Sequence, residues 1–458
     1  MTSDDNPRAI DLNRGNYNEK FRDYVDNSTN HYHKGDRIPD EITGIPNNLP
    51  RFKSNYFVGR DADLNNLHQL LQKSKSVAIS AISGMGGIGK TELAIQYALK
   101  YQDQYPGSIC WLRAREDIGT QIVQFAKSSL NLHVRDDLDL VGQVQYCWNH
   151  WSEKNSLVIL DDVPNYGEYY RKNIQAYLRS VKSNIKILST SRQKPGKNIE
   201  HLDLDILSPK AAFALIISLA EDSQIDFEQE KESLERLCKW LGYLPLGLEL
   251  VGRYLDLHPT FTIGKVIQKL EERKLDARSL IHRQDSDMVG QLGVAAAFDL
   301  SWNEIPSTAQ ELGCYLGLFN SDPFIWSWVK DGLLEGENGE EAEELRDLYL
   351  LRFNLLKINS NQQYQLHSLI AQYFQAKLAT LENSELLKQK FIQPLIAISQ
   401  SIPSIPTQED ITRVALAIPH LSNLATDLVQ YVGDDDLFWV NEPEFDKMKP
   451  RPYAIAKK

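Results

Sequence analysis

Residues 84 to 91 read Gly-Met-Gly-Gly-Ile-Gly-Lys-Thr and directly follow the apolar run Val77-Ala78-Ile79-Ser80-Ala81-Ile82. A short apolar run that breaks into glycines and then into a helix-forming segment predicts a strand, a loop and a helix in succession. Gly84, Gly86, Gly87 and Gly89 carry no β-carbon, so backbone N–H groups in such a loop can converge on an anion. The helix expected to start near Lys90 would aim the positive end of its dipole at the same point. Lys90 supplies a mobile positive charge for β- and γ-phosphates, and the Thr91 hydroxyl is placed to ligate Mg²⁺. The spacing fulfils G-x-x-x-x-G-K-[ST] in full, so a phosphate-rich nucleotide with Mg²⁺ is the expected ligand.

The surrounding pattern fits that reading. The spacing of Leu64, Leu67, Leu70 and Leu71 predicts a helix ahead of the loop. Further strands are expected at 76–83, 108–112, 157–160, 185–188 and 202–206, with helices at 90–102, from about 118, and at 140–153. Short apolar strands separated by helices imply a parallel sheet covered on both faces, an α/β fold.

Two more constellations lie at predicted strand ends, where open α/β sheets bind ligands. Leu157-Val158-Ile159-Leu160 runs into Asp161-Asp162. Asp161 is the expected Mg²⁺ carboxylate, and Asp162 is placed to polarise an attacking water. Ser189-Thr190-Ser191-Arg192 follows another strand, and a cation there can neutralise a γ-phosphate.

At 458 residues the chain is longer than one hydrophobic core usually serves, so about three domains are expected. A net charge of −12 argues against general affinity for nucleic acid. The cysteines at 110, 147, 238 and 314 form no C-x-x-C pair and read as reduced thiols of a cytoplasmic protein. The chain contains no apolar run of about 18 residues, so no membrane span is expected.

Together these motifs resemble the NB-ARC family of signal-transducing STAND-class P-loop ATPases, over roughly residues 54 to 380. Phe57-Val58-Gly59-Arg60 is similar to the family's first motif, which packs against adenine and ribose. Gly84 to Thr91 stands for its P-loop, Leu157 to Val163 for Walker B and Thr190-Ser191-Arg192 for its sensor. Gly242-Tyr243-Leu244-Pro245-Leu246 matches the loop whose proline touches the base, and Leu366-His367-Ser368 takes the place of Met-His-Asp. The resemblance implies nucleotide contacts from Val58, Gly59, Arg60, the loop residues Gly84, Gly86, Gly87, Ile88, Gly89, Lys90, Thr91 and Glu92, and from Arg192, Pro245, Leu246 and His367. It implies catalytic roles for Lys90 and Asp162, and Mg²⁺ ligation by Thr91 and Asp161. Read from residues alone, Gly242 and Pro245 also suit a simple turn between helices, and His367 a packing histidine. Ser368 replaces an acidic residue that in the family helps fix the closed arrangement.

The implied architecture is an AAA+-like P-loop sheet domain at 54–207, a helical domain at 208–290, a winged-helix domain at 291–380 and a helical segment with tail at 381–458. Residues 1–53 read as a polar tail and linker, with an Asn/Tyr recurrence that suits an amyloid-like signalling motif. A winged helix suggests DNA, but residues 291–380 hold five Lys or Arg against twelve Asp or Glu, so DNA is not the expected partner. No 34-residue period follows Ile418-Pro419-His420-Leu421, so 381–458 reads either as the truncated start of a repeat array or as the end of a switch whose sensor or effector is a separate protein. The expected function is a switch, closed with ADP and a homo-oligomer with ATP, reset by weak hydrolysis. A DNA-binding transcription regulator and a mechanical AAA+ ATPase are the alternatives.

Overall fold

The computed structural model describes residues 42–50, 56–81, 86–135, 137–167, 169–195, 199–277, 288–333, 339–359, 361–403, 410 and 413–432. The recurrent Asn/Tyr segment before residue 42, Gly84 of the loop and the tail after residue 432 lie outside these residues.

Helix α1 (Asp61–Lys73) leads into β1 (Ser76–Ala81), and the loop that follows opens α2 (Lys90–Lys100). Then come β2 (Ser108–Arg113), α3 (Ile118–Ser129), α4 (Leu140–His150), β3 (Ser156–Val163), β4 (Ile185–Ser191) and β5 (Glu200–Leu204). The five strands form one sheet in the order β2-β3-β4-β1-β5, and every pairing in it is parallel. α1 forms because Leu64, Leu67 and Leu71 share one buried face. α3 and α4 start where Asp117 and Asp139 accept the N–H groups of Thr120 and Gly142, each at 2.8 Å.

Part of the segment expected to be linker lies along the exposed edge of β2. Ile109 donates its N–H to Pro46 O at 2.9 Å. Asn48 brackets Trp111: its Oδ1 accepts the Trp111 N–H at 2.6 Å and its Nδ2 donates to Trp111 O at 2.9 Å. A side-chain amide thus does the hydrogen bonding of a strand and covers an edge that would otherwise be open to pairing.

Helices α5 (Pro209–Leu219), α6 (Lys231–Trp240), α7 (Pro245–Leu257) and α8 (Ile263–Ala277) form the next module. Ser208 caps α5, with Pro209 at its first position. α9 (Met288–Trp302) packs on α7 and α8 and leads to α10 (Ser307–Leu316), β6 (Phe324–Ile325), α11 (Trp326–Leu333) and α12 (Gly339–Leu345). β7 (Lys357–Ile358) and β8 (Gln363–Gln365) complete a small antiparallel sheet in the order β6-β8-β7, followed by α13 (Ser368–Leu378). α14 (Ser384–Gln400) and α15 (Ile418–Asn423) follow and pack onto this third module.

Candidate functional site

The strand order puts the carboxyl ends of β3, β4 and β1 side by side, so Asp161-Asp162, Arg192 and the glycine loop meet at one edge of the sheet. Gly87 and Gly89 have φ of 76° and 95°, in the left-handed region where a side chain is strained. Gly89 is the residue from which α2 starts. Ile88, 1% exposed, anchors the loop in the core, and its carbonyl accepts from the Arg60 guanidinium at 3.2 Å. Arg60 is also paired with Asp63 at 3.1 Å, so it ties the 57–60 segment to the loop.

Thr91 Oγ1 and Thr190 Oγ1 both donate to Asp161 Oδ1, at 2.9 and 2.6 Å. Burial raises the Asp161 carboxyl above its ordinary range, and the hydroxyls of Thr190 and Thr91 oppose the rise. One carboxylate and one hydroxyl at a phosphate-binding loop form the hard-oxygen set that suits Mg²⁺, which takes few protein ligands and completes its shell with phosphate and water. These residues therefore fit the metal.

Asp162 is built differently. Its φ is 55°, and the β3–β4 register shifts between Leu160 and Val163 around it. Its N–H bonds Thr190 Oγ1 at 2.9 Å, and its carboxylate meets Arg115 Nε at 2.6 Å on a largely exposed surface. A bulge therefore separates two adjacent carboxylates, one turned to the Thr91 hydroxyl and the other to Arg115.

Three cationic or potentially cationic groups gather at this edge from different parts of the chain. Burial pushes Lys90 down to about 8; Arg192 adds to the fall, while Asp162 and Asp161 oppose it. Burial pushes His367 down to about 4, with Lys357, Arg192 and Lys90 lowering it further and Glu249 opposing. His367 Nδ1 accepts the Leu369 N–H at 3.2 Å, so the neutral ring carries its proton on Nε2 and presents a donor. An anion placed among these groups would relieve their mutual repulsion.

The two later modules touch the loop itself. A β-carbon on Gly86 would sit 3.2 Å from Leu369 Cδ2 of α13, and one on Gly87 would sit 3.2 Å from Leu246 Cβ of α7. Leu246 N–H reaches Gly87 O at 3.4 Å. Pro245 occupies the first turn of α7, which delivers Leu246 to the loop. Val58 is half-buried, and a β-carbon on Gly59 would overlap Ala211 Cβ of α5. Lys357 on β7 pairs with Glu249 on α7 at 3.3 Å, joining second and third modules beside His367. Glu92 accepts from Gln96 at 2.8 Å, one turn along α2.

The structure thus brings together Gly86, Gly87, Ile88, Gly89, Lys90, Thr91, Asp161, Asp162, Arg192, Leu246 and His367. Arg60 acts on the loop from behind, through the Ile88 carbonyl. Sequence reasoning missed Leu369, Ala211 and the Glu249–Lys357 pair; the signal for Leu369 was its place two residues after His367, on the helix that His367 caps.

Residues 60–225 match the NB-ARC domain family. The putative disease resistance protein RGA1 of Solanum bulbocastanum is 24% identical over 345 residues, covering 68% of this chain and 33% of that protein. The regulatory protein AfsR of Streptomyces griseus is 23% identical over 332 residues, covering 70% and 32%. The chain thus spans about a third of the length of these curated relatives. Among solved structures, a STAND protein with a tetratricopeptide repeat sensor from Pyrococcus horikoshii aligns with a TM-score of 0.51 at 15% identity, over 87% of this chain and 53% of that one. That likeness is one of fold. Among the described residues no helix is long and apolar enough to cross a membrane.

Proposed function

Because residues 60–225 match the NB-ARC domain family, we propose that this chain is a STAND-type switch whose state is set by ADP or ATP. The observation that carries the reading is the double contact on the loop: Leu246 from the second module and Leu369 from the third rest on Gly87 and Gly86. In the proposed ADP state Lys90 and the loop N–H groups hold the phosphates, Pro245 and Val58 flank the base, and His367 Nε2–H donates to the β-phosphate. Thr91 and Asp161 hold Mg²⁺, which neutralises phosphate charge when bound. A γ-phosphate would compete for the space beside Lys90, Arg192 and His367, so the two nucleotides differ in affinity for closed and open arrangements. That differential affinity is what a switch needs.

Opening would expose the faces through which copies assemble into a homo-oligomer in a cytoplasmic setting. Hydrolysis would be weak and would reset the switch. Asp162 is shorter than a glutamate, and its carboxylate is paired with Arg115. The acid excess of residues 291–380 disfavours DNA as a partner. The test is to identify the nucleotide that co-purifies and to size the protein with ADP and with a non-hydrolysable ATP analogue. Retained ADP in a monomer, and larger particles with the analogue, are expected. A protein without adenine nucleotide affinity would overturn the reading.

A further inference from the structure

β2 ends on Arg113, whose register partner across the sheet is Asp161. The following residue, Ala114, donates its N–H to Asp161 O at 2.8 Å. Arg113 reaches outward as well: its guanidinium contacts Glu116 Oε1 at 3.1 Å and Asp322 Oδ1 at 2.7 Å. Glu116 is a near neighbour in the chain. Asp322 lies 209 residues away, in the turn between α10 and β6 of the third module.

The residue after Asp322 is held from the other side. Pro323 O lies 2.9 Å from His420 Nε2 on α15. A carbonyl only accepts, so His420 carries its proton on Nε2 and donates. The ring is 1% exposed and stands edge-on to Phe319 and Trp328, with centroids at 5.2 and 5.6 Å. Neither the P-loop nor the phosphate cations use these residues. They nevertheless form a continuous series of short contacts, from the C-terminal segment through Pro323 and Asp322 to Arg113 and the strand pair that holds the metal carboxylate.

We propose that Asp322 is a positioning residue that couples the C-terminal segment to the nucleotide site, with His420 holding Asp322 on Arg113 and Arg113 fixing the end of β2 beside Asp161. Displacing α15 then withdraws Asp322 and loosens Asp161 without touching the nucleotide. The charge of Arg113, which also lowers the Asp161 carboxyl, then keeps Glu116 as its one ion-pair partner among the described residues. The inference rests on the switch reading and adds the path by which a signal at the C-terminal side reaches it.

The test uses the full chain, with release of a fluorescent ADP analogue and hydrogen exchange of residues 317–325 as readouts. Asp322→Asn is expected to speed release about tenfold, the range for one contact to a charged group. His420→Phe, which keeps a ring and removes the donor, is expected to speed it roughly threefold. His420→Gln, which restores a donor, should stay near the unaltered protein. Asp322→Asn with His420→Phe should release no faster than Asp322→Asn alone, because both cut the same series. Exchange at 317–325 should rise in His420→Phe even without nucleotide. Multiplicative effects of the two substitutions, or unchanged release in Asp322→Asn, would overturn the inference while leaving the switch intact. Failure of the unaltered chain to hold ADP would end both readings, and that control separates the two failures.

Discussion

On one face of the parallel sheet, Cys110, Leu112, Val158, Leu160, Ile185 and Ile187 close against α3 and α4 around Trp148 and Trp151. The buried residues of that core all fall between 110 and 187. On the opposite face, Ile109, Trp111, Leu157, Ile159 and Leu188 enter a core that continues through α1, α5 to α10 and α13 as far as Val432. The same strands therefore build one core private to the nucleotide domain and one shared with every later module. Alternation along each strand divides the two. A private core lets the domain hold its loop whatever the other modules do. A shared core makes their pose part of the energetics of the site, which is the physical condition for coupling.

The largest expected effect sharpens this contrast on the private side. Trp148 is fully buried, and its indole N–H donates to Tyr177 O at 2.7 Å, so Trp148→Ala should cost about 3–5 kcal/mol in denaturant unfolding. Loss of that magnitude should melt the nucleotide domain and abolish binding as a consequence. Lys90→Ala is expected to weaken ADP binding at least about 100-fold by titration, with no loss of melting temperature in the nucleotide-free protein, since a buried charge is removed.

On the shared side, Leu369→Ala should change unfolding modestly, because Leu369 is only half-buried, yet speed ADP release about tenfold by freeing Gly86 and Gly87. Equal loss of stability in Trp148→Ala and Leu369→Ala, with no difference in release, would contradict the division into a private and a shared core.

Two further effects are read in pH. Lys90 has a folded pKa of about 8 against an ordinary 10.5, so the unfolded chain binds more protons between those values and the nucleotide-free protein gains stability as pH rises through that window. Phosphate should restore the Lys90 proton, so ADP binding above pH 8 takes up a proton, measurable by calorimetry in buffers of different ionisation enthalpy. His367, at about 4 against 6.5, gives stability that is present above 6.5 and is lost as pH falls toward 4. Urea midpoints across that range should show the loss, and His367→Gln should lack it.

The strand–loop–helix unit at β1, the carboxylates after β3 and Arg192 after β4 were legible in the sequence, because each combines a short apolar run with punctuation by glycine or charge. The C-terminal helices were legible from apolar spacing. The docking of residues 42–50 was not, since side-chain amides of Asn48 replace the alternating pattern that would announce a strand. The αL backbone of Asp162 was equally hidden, because only the register shift with β4 creates it. Contacts such as Gly86–Leu369, Gly59–Ala211 and Arg113–Asp322 join residues too far apart for any local period to pair. The need for glycine at 86 and 87 was visible, but half of its cause is the crowding by α7 and α13.

On the switch proposed above, the nucleotide's identity would set the pose of the third module on the loop. This dependence is tested most directly by the distance between labels on exposed positions of α3 and α12 in the full chain, measured with ADP and then with a non-hydrolysable ATP analogue and Mg²⁺. One short distance with ADP, and a population shifted to longer distances with the analogue, is the predicted result. The same distance distribution with both nucleotides, each shown to be bound, would contradict it.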